Sequence, residues 1–177
     1  NDTITGGAGA DDLTGGGGSD SFVYLSATDG NAAGGTVVAD ADTVDGTFDG
    51  ATDEIAIEDT FLDDLGNGDT NMDAAAVAQG AVDADNDVNI SNSASANDDF
   101  ADLTAVINAV GAAIANSTTG DDTLIAVENN SGTEFGLYAF EEDGNDATII
   151  EADELTLMGV IETGALVAGD FAAIDTV

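Results

Sequence analysis

The sequence predicts a mainly β fold: a short coil of parallel, glycine-turned strands leading into an antiparallel sheet or sandwich, with one amphipathic helix packed on it. Three observations predict it. A glycine- and aspartate-rich segment at the start repeats every nine residues. Three strand-like runs, Thr123–Glu128, Glu134–Phe140 and Glu154–Ile161, follow late in the chain. Between them, Phe100, Leu103, Ile107, Val110 and Ile114 recur at helical spacing over 98–116.

The repeat comes first. Asp2, Asp11 and Asp20 lie in register, as do Ile4, Leu13 and Phe22. Between them run Gly6-Gly7-Ala8-Gly9-Ala10-Asp11 and Gly15-Gly16-Gly17-Gly18-Ser19-Asp20. Glycine tolerates the positive φ that a sharp turn needs. The apolar residue after each aspartate then sits on a short strand and points inward. The pattern resembles the nonapeptide repeat of RTX proteins, and the resemblance implies a flattened coil whose alternate turns fall on opposite sides, so that turns on one side are 18 residues apart. That pairs Asp2 with Asp20, and Asp11 with the turn ending at Asp29. Tyr24 to Asp29 keeps the phase but has no glycine, so an Asp11–Asp29 site is expected to be incomplete.

Composition narrows the chemistry. The 177 residues carry 37 Asp and Glu and no Lys, Arg, His, Cys or Pro, for a formal net charge of −37. With 43% hydrophobic residues the chain can build a core, but self-repulsion opposes compaction unless salt or bound cations answer the charge. A nucleophilic triad lacks its histidine and Schiff-base chemistry its lysine. Zinc and copper lack their usual ligands, and nucleic acid lacks its basic partner. Hard, oxygen-seeking cations remain, and Ca²⁺ is the best match. Two carboxylates could in principle cleave a glycosidic bond, but no motif singles out a pair, so no enzyme is expected. No apolar run reaches the ~20 residues of a membrane helix. The lack of an initiator Met and of a basic signal region is expected of a processed product or a fragment.

The nonapeptide resembles the G-G-x-G-x-D-x-U-x calcium-binding repeat of RTX proteins. The resemblance implies a short calcium-binding parallel β-roll over 1–30. Its ligand set would be Asp2, Gly6, Gly7, Gly9, Asp11, Gly15, Gly16, Gly18, Asp20 and Asp29, with each Ca²⁺ held between same-side turns by carbonyls and carboxylates. "ADTVDGTFDGATDEIAIED", from Ala41 to Asp59, is similar to the strand segment after the repeats in many RTX proteins, with two extra residues before Phe48 and Glu54 where a Lys is usual. It places Thr43, Val44 and Phe48 in strands, Asp49-Gly50 in a turn and Glu54–Glu58 in a half-buried strand. Asp45, Asp49 and Asp53 are lesser candidate ligands beside the reading of a solvated strand face.

Residues 31–177 read as a β-rich domain. The stretch 66–97 reads as loop, with a short helix near Met72–Gln79, a strand at Val88–Ile90 and a polar Asp83–Asp87 run. Asn97 or Asp98 is expected to cap the 98–116 helix. Between the last two strands, Asp143, Asn145 and Glu154 match positions 1, 3 and 12 of an EF-hand loop and Ile150 matches position 8, while Ala147 stands at position 5 and the glycine is absent. An acidic connection is the plain alternative. "VAGDFAAIDTV" at the end is similar to the uncleaved export signal of type I secreted RTX proteins.

The family includes bacterial surface-layer proteins, adhesins and matrix fibres. Membership implies export from a bacterium and calcium-triggered folding outside the cell. The expected function is a calcium-dependent, self-assembling structural protein of the cell surface or matrix, joining copies through the N-terminal end of the roll. The alternative is a folding and secretion module of a larger enzyme or adhesin.

Overall fold

The computed structural model describes residues 1–31, 38–58, 72, 74–79, 82–83, 86–92, 99–115, 122–142 and 149–174. In chain order its strands are β1 (Thr3–Ile4), β2 (Asp12–Leu13), β3 (Ser21–Tyr24), β4 (Asp42–Val44), β5 (Glu54–Glu58), β6 (Ala74–Val77), β7 (Val82–Asp83) and β8 (Val88–Ser91). Helix α1 (Leu103–Val110) follows, then β9 (Ile114–Ala115), β10 (Asp122–Glu128), β11 (Phe135–Glu141), β12 (Leu155–Ile161) and β13 (Phe171–Ile174).

The nine-residue phase sets the topology of β1 to β3, and the chain keeps alternating between two sheets through β4 and β5. Strands of two to five residues and their connections send the chain to the other sheet and back. β1, β3 and β5 therefore lie in a four-stranded sheet of order β1-β3-β5-β13, while β2 and β4 begin a seven-stranded sheet of order β2-β4-β12-β11-β10-β8-β6. The four-stranded sheet is parallel throughout. Thr3 pairs with Ser21 and Ile4 with Phe22, the expected 18-residue step. The seven-stranded sheet is mixed: β10, β11 and β12 are antiparallel, and its other pairings are parallel. The mainly β class and one short α-helix among the described residues are as the sequence predicts; among the named strands described, antiparallel ladders join only that central trio, and an isolated antiparallel bridge links Ala113 to Ile149. The two sheets continue from the repeat to the last described strand.

Two apolar layers hold this arrangement. Strand alternation puts Phe135, Leu137 and Ala139 of β11 on one face and Tyr138 and Phe140 on the other. The first face meets Leu13, Phe22, Tyr24, Ile55, Ile57 and Phe171 from the short strands, forming the core between the sheets. The second face is covered by α1 and Phe100. Each fully buried Leu, Ile or Phe contributes about 1.5–3 kcal/mol against chain entropy. A bulge at Met158-Gly159, opposite Leu137/Tyr138, shifts the alternation by one residue, so Val160 joins Leu157 on the helix side and Ile161 joins Met158 in the inter-sheet core.

Several local expectations change. Met72–Gln79 is not a helix: Ala74–Val77 forms β6, paired in parallel with β8. Alanine favours helix, but an open sheet edge offers these amides a ladder, and tertiary pairing outweighs propensity. The helix is also shorter than 98–116. Asp102 caps it by accepting the Ala105 N–H at 3.2 Å. Gly111, at φ 84°, ends it, and Ile114 moves on to pair with Val82. Residues 93–98, with the expected caps Asn97 and Asp98, lie outside the described residues. The buried face is Ala105, Val106, Ala109 and Val110, with Leu103 and Ile107 half-buried beside it. Phe48 is buried in a turn rather than a strand, its ring 6.0 Å from that of Phe22. No helix among the described residues is long and apolar enough to cross a membrane.

Candidate metal site

The turns are built by glycines with two distinct jobs. Gly7 and Gly16 take φ 79° and 84°, and Gly9 and Gly18 take 121° and 130°, the left-handed conformations that reverse the chain. Gly6 and Gly15 instead admit carboxylates. A Cβ on Gly15 would lie 2.8 Å from Asp20 Oδ2, and one on Gly6 would lie 2.7 Å from Asp42 Oδ2.

The aspartates stack as a ladder. Asp20 Oδ1 accepts the Asp2 N–H at 2.7 Å, and Asp53 Oδ1 accepts the Asp20 N–H at 3.0 Å. On the other side Asp42 Oδ1 accepts the Asp11 N–H at 2.9 Å. Backbone bonds run alongside, from Ser21 to Asp2, Glu54 to Asp20 and Thr43 to Asp11. Each acid thus holds the turn before it by a charge-assisted bond. The amino terminus of Asn1, 3.4 Å from Asp20 Oδ1, supplies the one ion pair found among the described residues.

Asp2 and Asp20 meet as expected. Asp11 does not pair with a turn ending at Asp29: its partner is Asp42. Without glycines, the segment after Tyr24 closes on itself, Asp29 accepting the Leu25 N–H at 2.9 Å and the Ser26 hydroxyl at 3.4 Å. The chain reaches the next aspartate of the stack only at Asp42. The inserted segment still rests on the repeat, because Gly30 N–H donates to the Gly7 carbonyl at 3.0 Å. Of the EF-hand-like set, Asp143 and Asn145 lie outside the described residues. Glu154 is buried, and its Oε2 accepts the Glu151 N–H at 2.8 Å, capping a short turn before β12.

The lesser candidates are occupied locally. Asp45 accepts from the Thr47 and Thr14 hydroxyls and the Thr47 N–H, which hold its carboxyl below the usual range. Asp49 Oδ1 accepts the Ala51 N–H at 3.0 Å. Both oxygens of Asp53 are matched, the second by the Asp49 N–H at 2.9 Å.

Sequence reasoning missed two acids. Asp42, 1% exposed, occupies a repeat position, but the insertion breaks the nine-residue count that would have revealed it. Burial pushes its carboxyl up from 3.8 to about 6; the Asp11 N–H opposes this, while the charges of Asp11 and Asp29 add to it. Asp170, also 1% exposed, precedes β13. Its Oδ2 accepts the Val167 N–H at 2.8 Å, and its carboxylate lies under the Gly50 turn, 2.9 Å from where a Cβ would stand. Burial raises its pKa against that hydrogen bond. The sequence offers only a weak signal for it, Gly169-Asp170 directly before Phe171, without the one-residue spacing between acid and apolar residue that the repeat keeps.

Two carboxylate oxygens in these stacks, Asp20 Oδ2 and Asp170 Oδ1, are buried without a hydrogen-bond partner. An unpaired buried carboxylate oxygen is costly, and a hard cation is the partner this chain's composition allows. Among the described residues no three acidic side chains converge closely enough to hold an ion by themselves, so a bound ion would draw on backbone carbonyls of the turns. No protein-family model matches the chain, and no curated protein matches it.

Proposed function

We propose that this chain is a calcium-dependent, self-assembling structural protein of the bacterial cell surface or extracellular matrix, a surface-layer, fibre or biofilm-matrix subunit, and not an enzyme. In this reading residues 1–30 form an RTX-like calcium β-roll. The observation that carries it is the pair of buried, unpartnered carboxylate oxygens, Asp20 Oδ2 and Asp170 Oδ1, in glycine-built turns of a chain with no Lys, Arg or His. Calcium supplies the missing charge, and its binding free energy becomes folding free energy.

Assembly follows from the edges. Among the described residues β1 and β2 end their respective sheets. β13 ends the four-stranded sheet on its far side. Parallel addition of one copy's edge to another's continues the sheet head to tail. At −37 per chain, such a joint needs cations between copies. The same edge strands favour the second reading, a calcium-dependent folding and export module of a larger secreted protein, because further coils would fit there as well as a second copy.

Electron microscopy of the purified chain with and without calcium tests the proposal. Ordered polymers with calcium, and soluble monomers when residues 1–23 are deleted, are expected. A chain that stays monomeric in calcium removes the assembly reading. A deletion variant that forms the same polymers removes the N-terminal contact.

A further inference from the structure

Two strands at the far ends of the sheets carry no charge. Among the described residues β13 ends the four-stranded sheet and β6 ends the seven-stranded one. They read Phe-Ala-Ala-Ile and Ala-Ala-Ala-Val in a chain of which 21% is charged. Edge strands are ordinarily guarded by charged side chains, and an uncharged one is a template for pairing. Both lie at one end of the sandwich, because β6 packs against the Ala168–Asp170 turn that leads into β13. Val167, 57% exposed, borders that turn.

The inter-sheet core comes to the surface at this end. Ala126, Ile90 and Ala76 stand level with one another on β10, β8 and β6. Ala126 and Ile90 are fully buried in that core, whereas Ala76 is exposed. Ala173 and Ile174 of β13 are only half-buried. At the opposite end Ile4 of β1 is half-buried against the same core. It begins a row of level apolar residues, Ile4, Phe22, Ile55 and Phe171, that crosses the smaller sheet.

Strand sense decides what fits. All four strands of the smaller sheet point the same way. In the larger sheet the two antiparallel steps, β12 to β11 and β11 to β10, cancel, so β6 points the same way as β2. A second copy that arrives with its β1 and β2 therefore continues both sheets at once, with every new pairing parallel.

We propose that the edges of β6 and β13 form the docking face for the β1 and β2 end of a second copy, so that copies join head to tail through both sheets. The apolar row sets the register: Ile4 of one copy stands level with Phe171 of the next, and Thr5 with Ala172. Acceptor strands without acids keep like charges apart where the copies meet. The joint is heterologous and does not close on itself, so it grows into a polar filament, whereas like ends meeting about a two-fold axis would stop at a dimer. The inference rests on the self-assembly reading above, and the test separates the two.

The chain has no cysteine, so disulfide trapping reads the contact directly. Level residues on neighbouring strands lie about 4.8 Å apart, within disulfide reach. In calcium under mild oxidation, the double variant Thr5→Cys/Ala172→Cys should give a covalent ladder on a non-reducing gel, and each single variant should stay monomeric on it. Ala76→Asp, at an exposed position of β6, should shorten the polymers seen by electron microscopy severalfold while leaving the melting temperature unchanged. Cross-linked dimers of Ala172→Cys alone overturn the proposal, because tail then meets tail. Polymers of the double variant that do not cross-link, or polymers that keep their length in Ala76→Asp, also overturn it and leave self-assembly standing with its contact elsewhere. An unaltered chain that stays monomeric in calcium overturns the self-assembly reading together with the joint.

Discussion

Removing calcium should lower the melting temperature by an amount the turns themselves set. Asp20 Oδ2 and Asp170 Oδ1 are the unpaired buried atoms in the two stacked turns. Each unsatisfied group costs about 1–3 kcal/mol, so leaving both without a cation costs about 2–6 kcal/mol. For a chain of this size, about 2–4 °C accompanies each kcal/mol, which converts the loss to roughly 4–24 °C. Mass action gives a consistent figure: an ion at 100 times its dissociation constant stabilises by about 2.7 kcal/mol per site, or about 5 kcal/mol for two. The assay is thermal unfolding followed by circular dichroism, in chelator and in millimolar calcium at matched ionic strength. Matching matters because salt alone screens a charge of −37. An equal concentration of Mg²⁺ should recover only a minor part of the shift. Superimposable transitions in chelator and calcium would refute the reasoning, as would full recovery with Mg²⁺.

Other perturbations separate structural acids from cation-binding ones. Asp53→Ala leaves the Asp20 and Asp49 amides without their acceptor, so it should cost about 2–4 kcal/mol equally in chelator and calcium, with calcium affinity little changed. Asp20→Ala should instead weaken calcium binding in a titration; a larger affinity loss from Asp53→Ala would reverse this ranking. Asp42 sets the pH dependence of the metal-free chain. Its folded pKa, about 6, lies above the unfolded 3.8, so its contribution is fully present below the lower value and is lost as pH rises through the upper one. Asp170 acts in the same direction. Melting temperatures of metal-stripped protein should therefore fall between about pH 4 and pH 7, and a rise would contradict the burial of these acids. Gly159→Ala drives a methyl onto the Tyr24 hydroxyl and should cost about 1–3 kcal/mol in denaturant unfolding, without changing the far-ultraviolet spectrum.

The turn chemistry was legible because it is local. Whether a turn needs Gly7, Gly9, Gly16 and Gly18 at positive φ depends on a few neighbouring bonds, and so does the nine-residue phase that yields the 18-residue register of β1 and β3. The strands at Glu54–Glu58, Asp122–Glu128, Phe135–Glu141 and Leu155–Ile161 were legible from their own apolar patterns. Residues 74–77 were not: an alanine run carries no β signal, and only the free edge of β8 makes it a strand.

The sequence by itself also limited which of its own side chains could neutralise buried charge. A chain with 37 acids and no basic side chain has no side-chain cation with which to answer buried charge, and backbone amides, bound cations or protons must do so. Tertiary structure decided which acids carry that need. Asp42 stands 31 residues from Asp11, and Asp170 lies far along the chain from the Gly50 turn it closes. Such pairings have no period to read. They exist because the inter-sheet core fixes where β4 and β13 dock, and docking buries the carboxylates that precede or begin those strands. Desolvation depends on everything packed around a group, so a buried and an exposed aspartate look alike in the sequence until the sheets are assembled.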